Sequence, residues 1–169
     1  MKDILIVDGY NIIGAWPKLI ELKNKDLSAA RDYLVEKMAE YQAFTGFQVI
    51  VVFDAHYVQG NEKKYINYKV DVIFTKENES ADERIEKLAS LLNNRKTQIH
   101  VATSDLTEQW VIFGQGALRK SARELLNEMM SIEQNIARDV KTIQTKKPAS
   151  KIPLSKEIAE IFEKWRRER

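Results

Sequence analysis

The chain has 169 residues, 44% of them hydrophobic and 31% charged, which indicates a globular protein and argues against a disordered one. Its length predicts one compact domain with an appendage. It contains no cysteine and only two histidines, which excludes a disulfide framework, a cysteine-ligated zinc site and a histidine-rich metal site. No apolar run approaches the roughly 20 residues that span a bilayer, and the N-terminal run is too short for a secretory signal. We therefore expect a cytoplasmic protein without a membrane anchor.

The net charge of +2 is spread unevenly along the chain. Residues 138–169 contain ten Lys or Arg against five Asp or Glu, so this stretch carries +5 and the rest of the chain −3. A basic tail beside a mildly acidic body suggests contact with phosphate backbones, together with a separate acidic feature in the body. The alternative is a solvated helical face, which charge alone favours.

Short β-branched runs alternate with longer helical patterns. Strands are predicted at residues 4–7, 49–53, 70–74 and 99–102. The first two are apolar throughout, as in strands covered on both faces, whereas Asp71 and His100 suggest that the other two lie near a sheet edge. Helices are predicted at residues 28–44 (ending at Gly46), 81–92, 105–113 and 121–142. Ser121 and Glu124 open the last of these with a capping-box pattern.

The C-terminal stretch differs from the rest. Residues 146–153 hold two prolines and indicate a linker, and residues 155–167 indicate a basic helix. The predicted domains are therefore residues 1–145 and residues 146–169. The alternation of strands and helices within the first domain predicts an α/β fold, with a mainly parallel central sheet flanked by helices on both faces. Ligands of such sheets bind outside the carboxyl ends of the strands.

Acidic residues lie at these strand ends. Asp8 follows the first strand, Asp54 the second and Asp105 the fourth, and Asn11 comes three residues after Asp8. Asp82 lies in the first turn of the helix after the third strand, on the face that also carries Ile85. Such a cluster suits a hard divalent cation, Mg²⁺ or Mn²⁺, which prefers oxygen ligands and can activate water beside a phosphoryl group.

Each polar residue also has a structural interpretation. Asp105 could be a helix N-cap, Asp82 a first-turn acid that satisfies the helix dipole, Asp54 a turn residue and Asn11 a cap of the following turn. Glu83 fits a capping box with Ser80. His56 suits an exposed loop, and His100 a structural role in a strand. The joint pattern of acids after three strands and at one helix start is more specific than any single residue.

Four segments carry a resemblance to a known family. They are Val-Asp8-Gly-Tyr-Asn11-Ile-Ile, Val-Phe-Asp54-Ala-His, Ser-Ala-Asp82-Glu-Arg-Ile and Ala-Thr-Ser-Asp105. Together they resemble the YacP-like, NYN-domain branch of PIN-like nucleases, which includes a ribosome-associated bacterial endoribonuclease. The resemblance extends over nearly the whole chain, and residues 74–82 and 113–126 are its longest specific stretches.

This resemblance implies a PIN-like fold with divalent-metal-dependent cleavage of mRNA, made within the ribosomal A site during translation. Asp8 and Asp82 match the essential acids of the family, and Asn11, Asp54 and Asp105 match its supporting polar positions. We accordingly predict Asp8, Asp82, Asp105 and Asn11 as catalytic residues. Asp8, Asp82, Asp54 and Asp105 are the predicted ligands of Mg²⁺ or Mn²⁺. The implied partners are mRNA and the ribosome with its ribosomal RNA, and we expect a monomer.

Two segments could hold RNA. The loop of residues 59–69 mixes lysine with tyrosine, which suits backbone contact and base stacking, and its predicted contacts are Lys63, Lys64 and Tyr65. A predicted helix start supplies Arg119, Lys120 and Arg123, where basic side chains and N–H groups can bind phosphate. Ordinary solvated surface is the alternative for both.

Two other functions remain open at this point. A non-catalytic RNA- or ribosome-binding factor could retain the fold without efficient chemistry, although the intact acids favour a nuclease. A metal-dependent phosphatase is weaker, because Tyr10 stands two residues after Asp8 where an Asp-x-Asp motif needs an acid.

Overall fold

The computed structural model describes residues 1–55, 68–104, 116–146 and 164–165. The four predicted strands are present, as are the predicted helices at residues 28–44, 81–92 and 121–142. In chain order the elements are β1 (Lys2–Asp8), α1 (Gly9–Ile13), α2 (Pro17–Lys25), α3 (Leu27–Thr45), β2 (Gln48–Phe53), β3 (Asp71–Phe74), α4 (Ala81–Leu92), β4 (Thr97–Ala102), β5 (Leu118–Lys120) and α5 (Ala122–Lys146). The predicted helix at 105–113 lies outside the described residues, as does the C-terminal segment apart from residues 146, 164 and 165.

The five strands form one parallel sheet in the order β3-β2-β1-β4-β5, which confirms the predicted α/β class. β1 lies in the middle, with Asp8 beside Val52 and with Val7 beside Ala102. All strands run in the same direction, so their carboxyl ends meet along one edge. We call this edge the carboxyl rim; it is marked by Asp8, Phe53, Phe74, Ala102 and Lys120.

Of the two strands predicted near a sheet edge, β3 is an edge strand and β4 lies one strand in from the opposite edge. β5 pairs with the outer side of β4. The polar residue that suggested an edge, His100, packs against the Phe47 ring at 5.1 Å between centroids, and its Nε2 lies 3.1 Å from Asp3 Oδ1. A buried strand thus accommodates its histidine through a carboxylate on the neighbouring strand.

Each face of the sheet has its own core. On one face, Leu5, Val7 and Val51 pack with α1, α2, α3 and the first turns of α5. On the other, Ile4, Ile6 and Val52 pack with Ile85 and Ala89 of α4. Because successive side chains of a strand point to opposite faces, Asp8 continues the row of Ile4 and Ile6 on the α4 face. Asp54, two residues after Val52, extends the same alternation just beyond the end of β2.

Helix ends follow the signals in the sequence. Ser80 caps α4 by accepting from the Glu83 N–H at 3.1 Å, and Ser121 caps α5 by accepting from the Glu124 N–H at 3.0 Å. Gly46 ends α3 in the left-handed conformation at φ 79°, as predicted.

The chain divides into two compact units, Met1–Ile132 and Glu133–Arg169. The first contains the sheet, α1 to α4 and the first turns of α5. The second begins within α5 and includes the helical residues Lys164 and Trp165. The domain boundary predicted at residue 145 stays a prediction. Within the described residues, no helix is both long enough and apolar enough to cross a membrane.

Candidate active site

Asp8 lies where β1 passes directly into α1, and it is 7% exposed. Its side chain makes no capping hydrogen bond to α1, all of whose residues are described. The abrupt turn depends on Gly9. A Cβ there would lie 2.4 Å from the Phe53 ring and 3.0 Å from the Val52 carbonyl oxygen. The missing side chain therefore lets the start of α1 approach β2 closely, which fixes Asp8 at the carboxyl rim.

Asn11 joins α1 to the end of β4. Its side-chain oxygen accepts hydrogen bonds from the Thr103 hydroxyl at 3.2 Å, and from both the backbone N–H and the hydroxyl of Ser104. This long-range connection replaces the local capping role that the sequence left open for Asn11. Asp105 itself lies outside the described residues, but the residue before it is held to α1 by these contacts.

Asp54 follows β2 and is half-buried. The next residue, Ala55, donates its N–H to the Thr75 hydroxyl at 3.0 Å, and the Thr75 N–H donates to the Phe53 carbonyl oxygen at 3.0 Å. Thr75 is 2% exposed and holds the ends of β2 and β3 together. Thr75 is not among the predicted site residues, although a threonine directly after a strand is a signal for such a contact.

Asp82 lies in the first turn of α4 and is half-buried. Just before the helix stands Glu79, which the sequence analysis also missed. Its carboxylate accepts from the Arg84 guanidinium at 2.7 and 2.8 Å and from Lys87 Nζ at 2.8 Å. The hydrogen bonds from Lys87 and Arg84 lower the pKa of Glu79 to about 2. The charge of Glu79 is thus already neutralised by cations of α4.

The donors at the carboxyl rim have the chemistry of a hard-cation site. Asp8 ends β1, Asp54 follows the neighbouring strand β2, and Asp82 lies in the first turn of α4, which packs on both strands. Within the described part of the chain, however, no three His, Cys, Asp or Glu side chains form a group that could hold a metal ion. Mg²⁺ bound by one or two carboxylates keeps several waters, so the described donors fit a water-rich site. His56 lies outside the described residues.

The predicted RNA contacts differ in their surroundings. Arg119 and Lys120 belong to β5, and the helix begins only at Ala122. Arg119 and Arg123 are exposed. The Lys120 side chain is 15% exposed and is ion-paired with Glu128. Lys63, Lys64 and Tyr65 lie outside the described residues.

Lys120 belongs to an internal network on the α3 face of the sheet. Its ammonium donates to the Tyr41 hydroxyl at 3.3 Å, and Tyr41 donates to Glu128 at 2.7 Å. Burial raises the pKa of Tyr41, and the hydrogen bond to Glu128 raises it further. The charge of Lys120 therefore stabilises the contacts between β5, α3 and α5. Arg119 and Arg123 are the better candidates for phosphate contact.

Comparison with known proteins gives consistent matches. The profile of the family described as YacP-like NYN domain matches residues 5–167. The protein YacP of Bacillus subtilis (strain 168) is 68% identical over 165 residues, covering 98% of this chain and 97% of the relative. The crystal structure of Rae1 (YacP) from Bacillus subtilis superposes with a TM-score of 0.78 at 68% identity, covering 98% of this chain and 95% of that one.

A tryptophan-to-leucine mutant of Rae1 (YacP) from Bacillus subtilis gives a TM-score of 0.76 at 62% identity, over 92% of this chain and 90% of that one. The family match extends across Asp8, Asp54, Asp82 and Asp105.

Proposed function

Because the chain belongs to the YacP-like NYN domain family, we propose that it is a metal-dependent endoribonuclease that cleaves mRNA bound in the ribosomal A site. The family is nuclease-like, so membership indicates an RNA-related nuclease role and, at a coarse level, a hydrolase acting on RNA. The dependence on metal and the ribosomal substrate are the finer parts of the proposal. Such a reaction would take place in the cytoplasm, where mRNA is translated, and we expect a monomer to perform it.

One observation carries the proposal: Asp8 ends β1, Asp54 directly follows the neighbouring strand β2, and Asp82 lies in the first turn of α4, the helix that packs on these strands. Asp8 is nearly buried, and Asp54 and Asp82 are half-buried. Partly desolvated carboxylates repel one another when they lie close together, and a cation removes that penalty. The oxygen-only donor set favours Mg²⁺ or Mn²⁺.

Different residues of the chain would have different roles in such a reaction. A divalent cation held at the rim would lower the pKa of a water and stabilise the charge that develops on the phosphoryl group. Asp8 and Asp82 are the proposed ligands, with Asp54 and Asp105 in support. Asn11 orients the segment that leads to Asp105 through its contacts with Ser104. Gly9 keeps Asp8 close to β2.

RNA would reach the rim along basic residues. Arg119 and Arg123 lie beside the carboxyl end of β5, and Lys63, Lys64 and Tyr65 follow β2 in the chain. Basic side chains bind the phosphate backbone without sequence preference, which suits a substrate whose position is set by the ribosome.

The test compares wild type with Asp8→Asn and Asp82→Asn on naked and ribosome-bound mRNA, with Mg²⁺, with Mn²⁺ and with a chelator. We expect ribosome-bound mRNA to be cut by wild type only when metal is present, and by neither variant. Asn keeps the volume of Asp but removes the charge that binds the cation, so thermal unfolding of the apo-variants should be unchanged or shifted upward. A structural carboxylate would instead lower stability by about 1 kcal/mol or more.

Two outcomes would contradict the proposal. Stable variants that still cut ribosome-bound mRNA would assign the chemistry to other groups. A wild type that binds ribosomes but leaves mRNA intact with either metal would favour the non-catalytic binding factor.

A further inference from the structure

Glu79 is a buried carboxylate at the entrance to α4. It is 8% exposed and directly precedes Ser80, the N-cap of the helix. Its Oε1 accepts from Arg84, and its Oε2 accepts from Lys87 at 2.8 Å. Glu79 and Arg84 thus occupy the two helix positions that an apolar pair often bridges to fix the angle at which a chain enters a helix. Here the bridge is ionic.

This ionic bridge lies on the flank of α4 opposite to Asp82. Asp82 and Arg84 are two residues apart, which separates them by about 200° around the helix axis. The buried face, with Ile85 and Ala89, lies between these flanks and packs on the sheet. Apolar packing allows a helix to rotate slightly on a sheet. The ionic bridge ties the chain that enters α4 to the following turns of the helix, so it restricts the orientation of the first turn, which carries Asp82.

The charge of Glu79 also distinguishes it from a metal ligand. Both of its oxygens are bound by cationic side chains of α4, so it has little negative charge to offer a second cation. Its carboxylate therefore binds side chains of α4 and not a metal ion.

We propose that Glu79 is a positioning residue for Asp82, whose ionic bridge to Arg84 and Lys87 sets the first turn of α4 so that Asp82 faces the cation site. The inference rests on the proposed function. It predicts that loss of the bridge weakens metal binding without removing any ligand.

The first measurement is Mn²⁺ binding to the full chain by isothermal titration. Glu79→Gln keeps the shape of the side chain but removes its charge, and we expect Mn²⁺ affinity to fall about tenfold, as for outer partners of metal ligands. Glu79→Asp, which retains the charge on a shorter side chain, should recover part of that loss. The matched control is Glu128→Gln, which breaks the ion pair with Lys120 on the other face of the sheet. It should leave Mn²⁺ affinity unchanged.

The second measurement is independent of metal. The Glu83 and Arg84 amides donate to the Ser80 hydroxyl and to the Ser80 carbonyl, so their hydrogen exchange reports on the first turn. Exchange should be faster in Glu79→Gln than in wild type and unchanged in Glu128→Gln.

The outcomes separate the two proposals. Unchanged Mn²⁺ affinity in Glu79→Gln, or an equal loss in Glu128→Gln, would overturn the positioning role while leaving the nuclease proposal intact. A wild type that binds no Mn²⁺ would overturn the nuclease proposal, and the exchange data would then decide alone whether Glu79 holds the turn of Asp82. Unchanged exchange at both amides overturns that role in either case.

Discussion

Gly9 is the residue on which the approach of α1 to β2 depends. A methyl group at this position would overlap the Phe53 ring, which is fully buried and in contact with Tyr10 and Phe74. We expect Gly9→Ala to destabilise the protein by about 1–3 kcal/mol, because overpacking forces ring and backbone to move. Asp8 would move with them, so cleavage per folded molecule should also fall. Urea unfolding and RNA cleavage of the same preparation measure both effects.

The control for this substitution is Gly14→Ala. A Cβ at Gly14 would meet only the Tyr10 and Asn11 carbonyl oxygens, at 3.5 and 3.7 Å, which is ordinary contact. This variant should be neutral or slightly stabilised, since alanine restricts the unfolded chain. Equal effects at both glycines would show that helix propensity, and not the close approach to β2, explains the result.

The side-chain oxygen of Asn11 accepts three hydrogen bonds, so truncation of this side chain removes all three at once. Asn11→Ala leaves the Thr103 hydroxyl and two Ser104 donors without their acceptor, so we expect a loss of about 1–3 kcal/mol together with a loss of cleavage. Asn11→Asp keeps an accepting oxygen and should retain most of the stability. An Asn11→Ala variant that is both stable and active would show that the α1 to β4 connection is dispensable.

Much of the candidate site was visible in the sequence because strand ends are simple to locate. Asp8 and Asp54 follow apolar runs, and a parallel sheet brings such ends to one rim. Glu79 and Thr75 were missed because their contacts depend on tertiary packing. A glutamate before a helix usually faces solvent, and nothing in the spacing shows that two cations bury it.

The ionic bridge of α4 should appear in the pH dependence of stability. The pKa of Glu79 is lowered from its ordinary 4.5 to about 2, so its charged form is favoured by folding. Its contribution is complete above about pH 4.5, declines as the pH falls towards 2 and is absent below that. The free energy of unfolding at pH 7 should therefore be about 2 kcal/mol higher for wild type than for Glu79→Gln. Urea unfolding of both proteins between pH 7 and 3 should show this difference shrinking below pH 4.5, and a constant difference would contradict the assignment.

The elements missed by the sequence analysis are the short ones. α1 has five residues and β5 three, too few to display a period, and the Leu118–Lys120 strand lacks β-branched residues. α2 was recognisable in principle, since Pro17 occupies its first turn. Its N-cap residue, Trp16, is anchored by an indole N–H that donates to the Ala122 carbonyl at 2.8 Å. That contact joins residues 106 apart, beyond the reach of local patterns.

The charge distribution of the whole chain predicts how it associates with RNA. Replacing both Lys63 and Lys64 with Ala should weaken binding to ribosome-bound mRNA. The slope of log affinity against log salt concentration should become shallower by roughly 1.4, because binding through two fewer phosphate contacts releases fewer counterions. Lys23→Ala with Lys25→Ala, in the exposed last turn of α2, removes the same charge elsewhere and should have little effect. Binding measured across a salt series distinguishes them. An equal change in both double variants would indicate a general charge effect and no specific contact at the 59–69 loop.

The central place of β1 in the sheet has a consequence for the synthesis of the protein. Asp8 is made first, but β1 must wait for both neighbours, β2 and β4, the second of which ends at Ala102. Parallel pairings of such long sequence separation form late. In a nascent chain, Asp8, the first proposed catalytic carboxylate, therefore lacks its neighbouring strands until well over half of the chain has been synthesised. A nuclease of the proposed kind could not act before most of its own chain has been synthesised.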